Sequence, residues 1–298
     1  MHPRPQARIL MVGEQPRHYL LHTPTALHGT AGPRPLLIML HGAGGTARYA
    51  MQETGWAATA EKYGFYLAFP EASRPDPTRP PQFLKNPQTW NDGTGRFHSG
   101  KRQIDDVGFL DAVIDDVVRQ HPIDPQRIYL VGISNGCSMT LRFGVERGAR
   151  IAAIAGVAGY LSVPANCLPR PIPLLYLIGS ADPVTPLAGG DLVLPWGAMG
   201  PRPPVTDSVA QWAALLGCPP TPTPYSTNID GVSAFRFGPG RGQSEVLFYT
   251  IAGMGHVWPG GRPILPERLI GTAAPLIPAN EMIWTFFSRH HEAASPSA

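Results

Sequence analysis

Short apolar segments of strand length alternate along this chain with longer amphipathic segments, and this alternation restricts the possible folds more than any other feature. Residues 35–40 (PLLIML) are apolar throughout, which is typical of a strand buried on both faces of a parallel sheet. Residues 104–120 instead carry apolar side chains at helical spacing. The alternation predicts an α/β fold with a mostly parallel central sheet flanked by helices. The predicted strands are 17–21, 35–40, 65–69, 127–131, 151–157, 174–178 and 245–251, and the predicted helices are 55–63, 104–120, 134–147, 209–216 and 280–287.

The length and the placement of Pro and Gly indicate one domain with long loops. A chain of 298 residues suits a single α/β domain, so we expect residues 1–298 to form one, with residues 1–15 and 291–298 flexible. Three long segments rich in Pro and Gly interrupt the alternation. Because such segments in compact domains are usually functional, we expect them to lie over the active site. They are residues 72–100, 183–204 and 258–278.

Charge, hydropathy and cysteine spacing exclude several classes of protein. A net charge of +3 without a basic run does not indicate a nucleic-acid partner, and no segment is apolar for long enough to span a membrane. The N-terminus lacks a signal peptide, so we expect a cytoplasmic protein by default, or a secreted or periplasmic one if a signal was removed. Cys137, Cys167 and Cys218 fit no zinc motif, and pairing of the last two stays open. The sequence does not indicate an oligomeric state.

Gly132-Ile133-Ser134-Asn135-Gly136 lies between a predicted strand and a predicted helix. A serine with glycines two residues before and after it is, in this setting, typical of a nucleophile elbow, a strained turn that exposes a catalytic serine. The glycines leave room where strand and helix approach each other, and the start of the helix favours negative charge nearby. The alternative is an ordinary turn with a solvated serine. The strand and helix on either side favour the elbow, so Ser134 is the predicted nucleophile.

A serine hydroxyl becomes a good nucleophile only with a base and an acid that orients the base. After an elbow serine, the acid comes next in the chain and the histidine last. Of the histidines that follow Ser134, His256 comes directly after the predicted strand 245–251, whereas His290 and His291 lie at the C-terminal end. Ligands bind at the carboxyl ends of strands in open α/β sheets, so His256 is the predicted base.

The orienting acid is expected on a loop after a strand between the nucleophile and the base. Asp182 follows the apolar segment LLYLIGSA and precedes a proline, so it is the predicted acid. Asp191 lies deeper in a loop and is the main alternative. Asp207 suits a helix N-cap, and Asp230 lies in a turn-like NIDG segment. Glu146 and Glu245 are further alternatives.

Residues 41–45 (HGAGG) follow the predicted strand 35–40. A glycine-rich loop at this place exposes backbone N–H groups next to an elbow serine, and these groups stabilise the oxyanion of a tetrahedral intermediate. The predicted donors are the N–H groups of Asn135 and Ala43, with Gly44 as the alternative to Ala43. An ordinary turn at the end of a strand would leave the same sequence pattern.

Six segments in a fixed order carry a family resemblance: HGAGG (41–45), TWNDG (89–93), IDDVGFLDAVIDDV (104–117), RIYLVGISNG (127–136), GSADPVTP (179–186) and GHVWPGG (255–261). Together they resemble the polyhydroxybutyrate depolymerase and feruloyl esterase group of α/β-hydrolases, which is similar to carbohydrate esterase family 1. The resemblance runs from about Arg17 to the last predicted helix. It implies an α/β-hydrolase fold in which Ser134, Asp182 and His256 match the catalytic triad. Ala43 and Asn135 match the oxyanion positions.

The resemblance also covers positions outside the triad. Asp105 and Asp106 match a motif that precedes a helix, and we interpret them as capping and structural residues. Cys137 departs from the group, which commonly has glycine there, and we expect its thiol to pack under the elbow.

The function implied by the resemblance is that of a serine esterase. It would hydrolyse carboxylic esters through an acyl-enzyme, acting on polyhydroxyalkanoate or polyester oligomers, or on feruloyl or acetyl esters. The expected partner is a small-molecule or polymeric ester, and no metal or cofactor is expected. The alternatives are a serine peptidase-like hydrolase and a non-catalytic binding protein on a hydrolase scaffold.

Two tryptophans lie in Pro/Gly-rich loops near these motifs. Trp258 comes two residues after the predicted base, and Trp90 lies within TWNDG. Their aromatic faces would suit a flat acyl group or a sugar, so both are predicted to bind substrate. The alternative for each is packing beneath the loops.

Overall fold

The computed structural model describes residues 4–27, 29, 32–194 and 197–291. The strands are β1 (Gln6–Val12), β2 (Gln15–His22), β3 (Arg34–Leu40), β4 (Tyr66–Pro70), β5 (Ile123–Ile133), β6 (Ala153–Val157), β7 (Leu174–Gly179), β8 (Gly190–Leu194), β9 (Gly197–Arg202), β10 (Thr223–Pro224), β11 (Val232–Phe237) and β12 (Val246–Ile251). The helices are α1 (Ala47–Thr54), α2 (Trp56–Tyr63), α3 (His98–Lys101), α4 (Asp106–Gln120), α5 (Asn135–Arg147), α6 (Val205–Leu216), α7 (Glu267–Ile270) and α8 (Ala279–Arg289).

Ten of these strands form one sheet in the order β1-β2-β4-β3-β5-β6-β7-β12-β11-β10. The six strands from β4 to β12 in this order are parallel. The strands at both ends of the sheet pair antiparallel. Every residue of β7 is buried, and β3 is buried after its first residue, which is why these segments are apolar throughout. The predicted mostly parallel α/β sheet is therefore confirmed.

The N-terminal segment differs from the prediction. Residues 1–15 were expected to be flexible, but β1 pairs with β2 over seven residues, from Gln6 opposite Leu21 to Val12 opposite Gln15. The expectation was wrong for residues 4–15 because the backbone of β1 is paired with β2 along its whole length and because Leu10 and Val12 pack against the core. Residues 1–3 and 292–298, which complete the two segments expected to be flexible, lie outside the described residues.

The long segment 183–204 contains regular structure that the sequence pattern did not indicate. Strands β8 and β9 form a separate antiparallel hairpin there. The short antiparallel strands β10 and β11 and the helix α1 were likewise not predicted. The strands mix polar residues or glycine with apolar ones and so lack the continuous apolar runs from which the main strands were predicted, and α1 has only eight residues.

Helix α4 begins where the acidic pair was predicted to cap it. Asp105 accepts a hydrogen bond from the backbone N–H of Gly108 at 2.7 Å. Asp106 is buried and pairs with Arg17 at 2.6 Å. The structural interpretation of this pair is confirmed. Among the described helices, none is long and apolar enough to cross a membrane.

The topology brings five loops to one edge of the sheet. Because parallel strands end at the same edge, the segments after β3, β5, β6, β7 and β12 lie together. Four of these segments contain the predicted oxyanion loop, nucleophile, acid and base.

Candidate active site

Ser134 occupies the turn between β5 and α5 with φ 57° and ψ −124°. A non-glycine residue with positive φ is uncommon and strained, as expected of a nucleophile elbow. A Cβ added at Gly132 would clash with the carbonyl of Gly136, and one added at Gly136 would clash with the carbonyls of Leu40 and His41. Both flanking positions therefore need glycine, and the predicted steric reason for the motif is confirmed.

Cys137 lies one helical turn below this elbow and is fully buried. Its Sγ lies next to Gly156 and Gly159, where an added Cβ would be only 2.4 and 2.8 Å away. Burial raises the pKa of the thiol far above its ordinary value, so the side chain is a neutral packing group. The expected position of Cys137 is confirmed. Cys167 and Cys218 are free thiols in this structure.

Asp182 and His256 lie together although 74 residues separate them. The Nδ1 atom of His256 is 2.8 Å from Oδ2 of Asp182. The other carboxylate oxygen, Oδ1, accepts hydrogen bonds from the backbone N–H groups of Val184 at 2.8 Å and Thr185 at 2.7 Å. These donors fix the carboxylate in place, and its bond to Nδ1 leaves Nε2 of the imidazole for a reacting hydroxyl.

The alternatives to Asp182 do not occupy this position. Asp191 lies on β8, Asp207 in the first turn of α6 and Asp230 in a turn before β11, and all three are exposed.

The charge environment of His256 favours its protonated form. Burial lowers the pKa of this imidazole, but the negative charge of Asp182, its hydrogen bond and the carboxyl of Glu53 outweigh burial and raise the pKa above the ordinary value. Asp182 can thus stabilise the imidazolium that forms when the histidine takes up a proton.

Glu53 was missed by the sequence analysis. It lies on α1 and is 5% exposed. Burial raises the pKa of its carboxyl to about 7, although the His256 charge and the Trp258 backbone N–H act in the opposite direction. No motif marks this position, and the segment around it was not predicted as a helix.

The loop after β3 presents a backbone N–H group close to the nucleophile. A Cβ added at Gly42 would be 3.2 Å from Cβ of Ser134. The N–H of Gly44 donates to the carbonyl of Gln88 at 2.7 Å, so it is not free to bind an oxyanion. The N–H of Ala43 has no acceptor among the described residues. This difference favours Ala43 over Gly44.

The other predicted donor, Asn135, is held by its side chain. Its Oδ1 accepts from the backbone N–H of Trp90 at 2.7 Å, and its Nδ2 donates to Asp92 at 2.8 Å. Asn135 is the first residue of α5, where backbone N–H groups lack helical partners. Its N–H is therefore available at the elbow.

The prediction that Trp90 and Trp258 bind substrate was wrong. Trp90 is completely buried, and its Nε1 donates to the carbonyl of His41 at 2.9 Å. Trp258 is 1% exposed, packs edge-on against Trp56 and donates from Nε1 to Asn280 at 2.9 Å. Both indoles pack beneath the loops and do not line the cavity described below. A loop position near a motif does not reveal on which side of the loop a large apolar side chain packs.

A cavity of about 490 Å³ opens at this edge of the sheet. Ser134, Asn135, Ala43 and His256 line it, so four of the predicted residues share one cavity. The three Pro/Gly-rich segments also contribute to its wall, as predicted for loops over the active site. Their lining residues include Phe83, Leu84, Pro87, Phe97, Val184, Leu192, Leu265 and Ile270. The size suits a small organic ligand.

Arg96, Tyr160 and Arg202 also line this cavity and were not predicted. Each is a single polar residue in a loop or short strand, without a motif around it that the sequence analysis used. No group of three or more His, Cys, Asp or Glu side chains in the described ranges is arranged to hold a metal ion.

Known proteins resemble this chain in sequence and in fold. "Putative esterase NocK" of Nocardia uniformis subsp. tsuyamanensis is 30% identical over 277 residues, covering 86% of this chain and 74% of that protein. Poly(3-hydroxyalkanoate) depolymerase C of Paucimonas lemoignei is 26% identical over 277 residues, covering 86% of this chain and 62% of that protein.

Among solved structures, the acetyl xylan esterase from Aspergillus awamori superposes with a TM-score of 0.61 at 13% identity. The match covers 95% of this chain and 99% of that chain. Native pOPH gives the same TM-score and identity, with 97% and 88% covered. These likenesses confirm the α/β-hydrolase fold.

The family model described as "Esterase PHB depolymerase" matches residues 18–183, which include the elbow and Asp182. This match spans more than half of the chain, and it supports hydrolysis of carboxylic esters. The chain belongs to the Esterase PHB depolymerase family.

Proposed function

We propose that this protein is a serine esterase that cleaves carboxylic esters through a covalent acyl-enzyme. The observation that carries the proposal is the 2.8 Å hydrogen bond between Asp182 and His256, at a cavity whose wall also contains the strained Ser134. An elbow serine, a histidine and a fixed carboxylate are the groups that acyl transfer needs.

In the first half-reaction, Ser134 Oγ attacks the ester carbonyl while Nε2 of His256 takes up the hydroxyl proton. The imidazolium then gives this proton to the leaving alcohol, and an acyl ester remains on Ser134. Asp182 keeps Nδ1 protonated and stabilises the positive charge. In the second half-reaction, a water molecule attacks the acyl group with the same base, which releases the acid and restores the serine.

The negative charge of each tetrahedral intermediate develops on the former carbonyl oxygen. The N–H groups of Ala43 and Asn135 are the proposed donors to it, since both belong to residues that line the cavity and Gly44 is already bonded. Their positions are held by the glycine-rich loop and by the Asn135 side-chain bonds to Trp90 and Asp92. Donors fixed before the reaction cost no reorganisation during it.

The substrates we propose are esters of small acids or short oligomers. The cavity is large enough for one small organic group on each side of an ester bond. Its wall contains apolar side chains from all three long loops, including Phe83, Leu192 and Leu265. Oligomers of hydroxyalkanoates and acetyl or feruloyl esters belong to this class.

The test is a panel of p-nitrophenyl and alkyl esters that differ separately in the acyl and alcohol parts. We expect the wild type to hydrolyse some of them and Ser134→Ala to lose on the order of 10⁶ in kcat. Ser288→Ala, which removes an exposed hydroxyl on α8, is the control and should remain active. Retention of more than about one hundredth of the activity by Ser134→Ala would contradict the proposed nucleophile.

A further inference from the structure

The cavity contains a cationic region that the acyl-enzyme mechanism does not use. Arg96 comes from the loop between β4 and α3, Tyr160 from the loop after β6, and Arg202 from the end of β9. All three line the same cavity as Ser134. The backbone N–H of Tyr160 donates to Oγ of Ser138 at 3.0 Å. This bond holds the backbone of Tyr160 against Ser138, which lies one helical turn after Ser134.

Each of these side chains has a buried donor without a partner. Among the described residues, Nε of Arg96, Nη2 of Arg202 and the hydroxyl of Tyr160 are buried and make no hydrogen bond. Buried polar groups are nearly always paired, and an unpaired one costs about 1–3 kcal/mol. All three residues line one cavity and each carries an unpaired donor, so this part of the cavity is incomplete without a ligand that accepts hydrogen bonds.

The charges of this region are not balanced by the protein. The pKa of Arg202 is lowered by burial and then by the positive charge of Arg96, so the two guanidinium groups are close enough to repel each other. Asp92 faces them and pairs with Arg96 at 3.4 Å. Its carboxylate also accepts from Asn135 and from Thr94, while Asp182 is bonded to His256. One of the two positive charges thus lacks a dedicated counter-charge.

We propose that Arg96, Tyr160 and Arg202 form a subsite for a carboxylate carried by the ester substrate. This inference rests on the proposed esterase function and specifies its substrate class. Guanidinium groups bind carboxylates through charge-assisted hydrogen bonds, and a phenol adds a neutral donor. An oligomer of a hydroxy acid has such a carboxylate at its end, and so does a half-ester of a dicarboxylic acid.

The subsite would orient the ester as well as bind it. A carboxylate held in the cationic region fixes one end of a short substrate at a set distance from the scissile carbonyl, which lowers the entropic cost of reaching Ser134. An uncharged ester of the same length lacks this anchor. It would also leave the buried donors unpaired, and a site built for hydrogen bonds discriminates against such ligands.

The first measurement compares two esters of matched size, the p-nitrophenyl half-ester of glutaric acid and p-nitrophenyl pentanoate. We expect the wild type to prefer the charged ester by at least about 10-fold in kcat/KM. This ratio should fall by about 10- to 100-fold in Arg202→Gln. Tyr160→Phe, which removes a single hydroxyl, should lower it by a smaller factor.

The matched control is Arg147→Gln, which removes an exposed arginine on α5 that pairs with Asp111 outside the cavity. It should keep the wild-type ratio, and Arg202→Lys should retain part of it because the charge remains. Melting temperatures of all variants show whether each is folded. A second pair, a hydroxybutyrate dimer with a free carboxylate and its methyl ester, tests whether the subsite also accepts a carboxylate in the alcohol part.

Calorimetric binding of glutarate to the wild-type protein and to Arg202→Gln is a readout that does not depend on catalysis. We expect binding by the wild type that is weakened in the variant and lost at high salt. If neutral esters are hydrolysed but the charged ester is not preferred, the subsite is refuted while the esterase function stands. If no ester is hydrolysed, the esterase function fails, and the subsite for an ester substrate fails with it even if glutarate binds.

Discussion

The buried carboxyl of Glu53 leads to a prediction about stability and pH. The pKa of this group is about 7 in the folded protein and 4.5 when it is unperturbed. The folded state therefore holds a proton that the unfolded state releases between pH 4.5 and 7. The stabilisation is present in full below pH 4.5 and is lost as the pH rises through 7.

The size of the effect follows from the pKa difference. A difference of about 2.5 pH units corresponds to roughly 3 kcal/mol, because one unit is worth 1.36 kcal/mol. Above pH 7 the wild type carries the cost of an ionised, buried carboxylate. Glu53→Gln has nearly the same shape and no charge, so it avoids this cost.

We expect the free energy of unfolding of Glu53→Gln, relative to the wild type, to rise by up to about 3 kcal/mol between pH 4.5 and pH 8. Urea denaturation at half-unit steps of pH measures this difference. Glu14→Gln is the control, because it removes an exposed carboxylate in the β1–β2 turn. Its difference from the wild type should stay constant. A difference for Glu53→Gln that does not change with pH would refute the reasoning.

The same substitution tests the electrostatic effect of Glu53 on the base. The charge of Glu53 helps to raise the pKa of His256. Removing it should lower that pKa and move the acidic limb of the kcat/KM profile to lower pH, since the free enzyme needs a neutral imidazole. An acidic limb at the wild-type pH would show that Glu53 does not act on the histidine.

Three further predictions concern the acid, the buried indole and the elbow. Asp182→Asn should lower kcat by roughly 10⁴-fold, which is a smaller loss than that in Ser134→Ala, and Asp191→Asn should leave kcat near the wild-type value. If steady-state kinetics show the reverse, Asp191 is the acid. Trp258→Ala should lower the free energy of unfolding, measured by urea denaturation, by about 3–5 kcal/mol, and it should reduce kcat/KM equally for small and aromatic esters. A loss of kcat/KM confined to aromatic esters would show that the indole binds substrate. Gly136→Ala should reduce the melting temperature strongly, because its methyl group meets two carbonyls, and a melting temperature like that of the wild type would contradict the packing of the elbow.

The sequence predicted those parts of the site that depend on local patterns. The elbow glycines, the apolar strands and the loops after β7 and β12 each leave a signal within about ten residues. The order of nucleophile, acid and base then follows from the topology of a parallel sheet. These signals were sufficient to predict that Asp182 and His256 act together, although they are 74 residues apart in the chain.

The remaining parts of the site depend on three-dimensional packing. Trp258 stands next to the base in sequence, yet its side chain turns away to contact Trp56 and Asn280. Glu53, Arg96 and Arg202 come from three distant segments, and they become functional candidates only because the fold closes one cavity around them. The order of β1 depends on its pairing with β2 at the edge of the sheet, which the short apolar run ILMV did not by itself indicate.

The central claim is that Ser134 is a nucleophile activated by His256. Intact-protein mass spectrometry after treatment with a fluorophosphonate tests it most directly, because this reagent forms a stable adduct with an activated serine. We predict one adduct per chain, located on Ser134 by peptide mapping, absent in Ser134→Ala and formed much more slowly in His256→Ala. An adduct on another serine, or labelling that persists in Ser134→Ala, would contradict the claim.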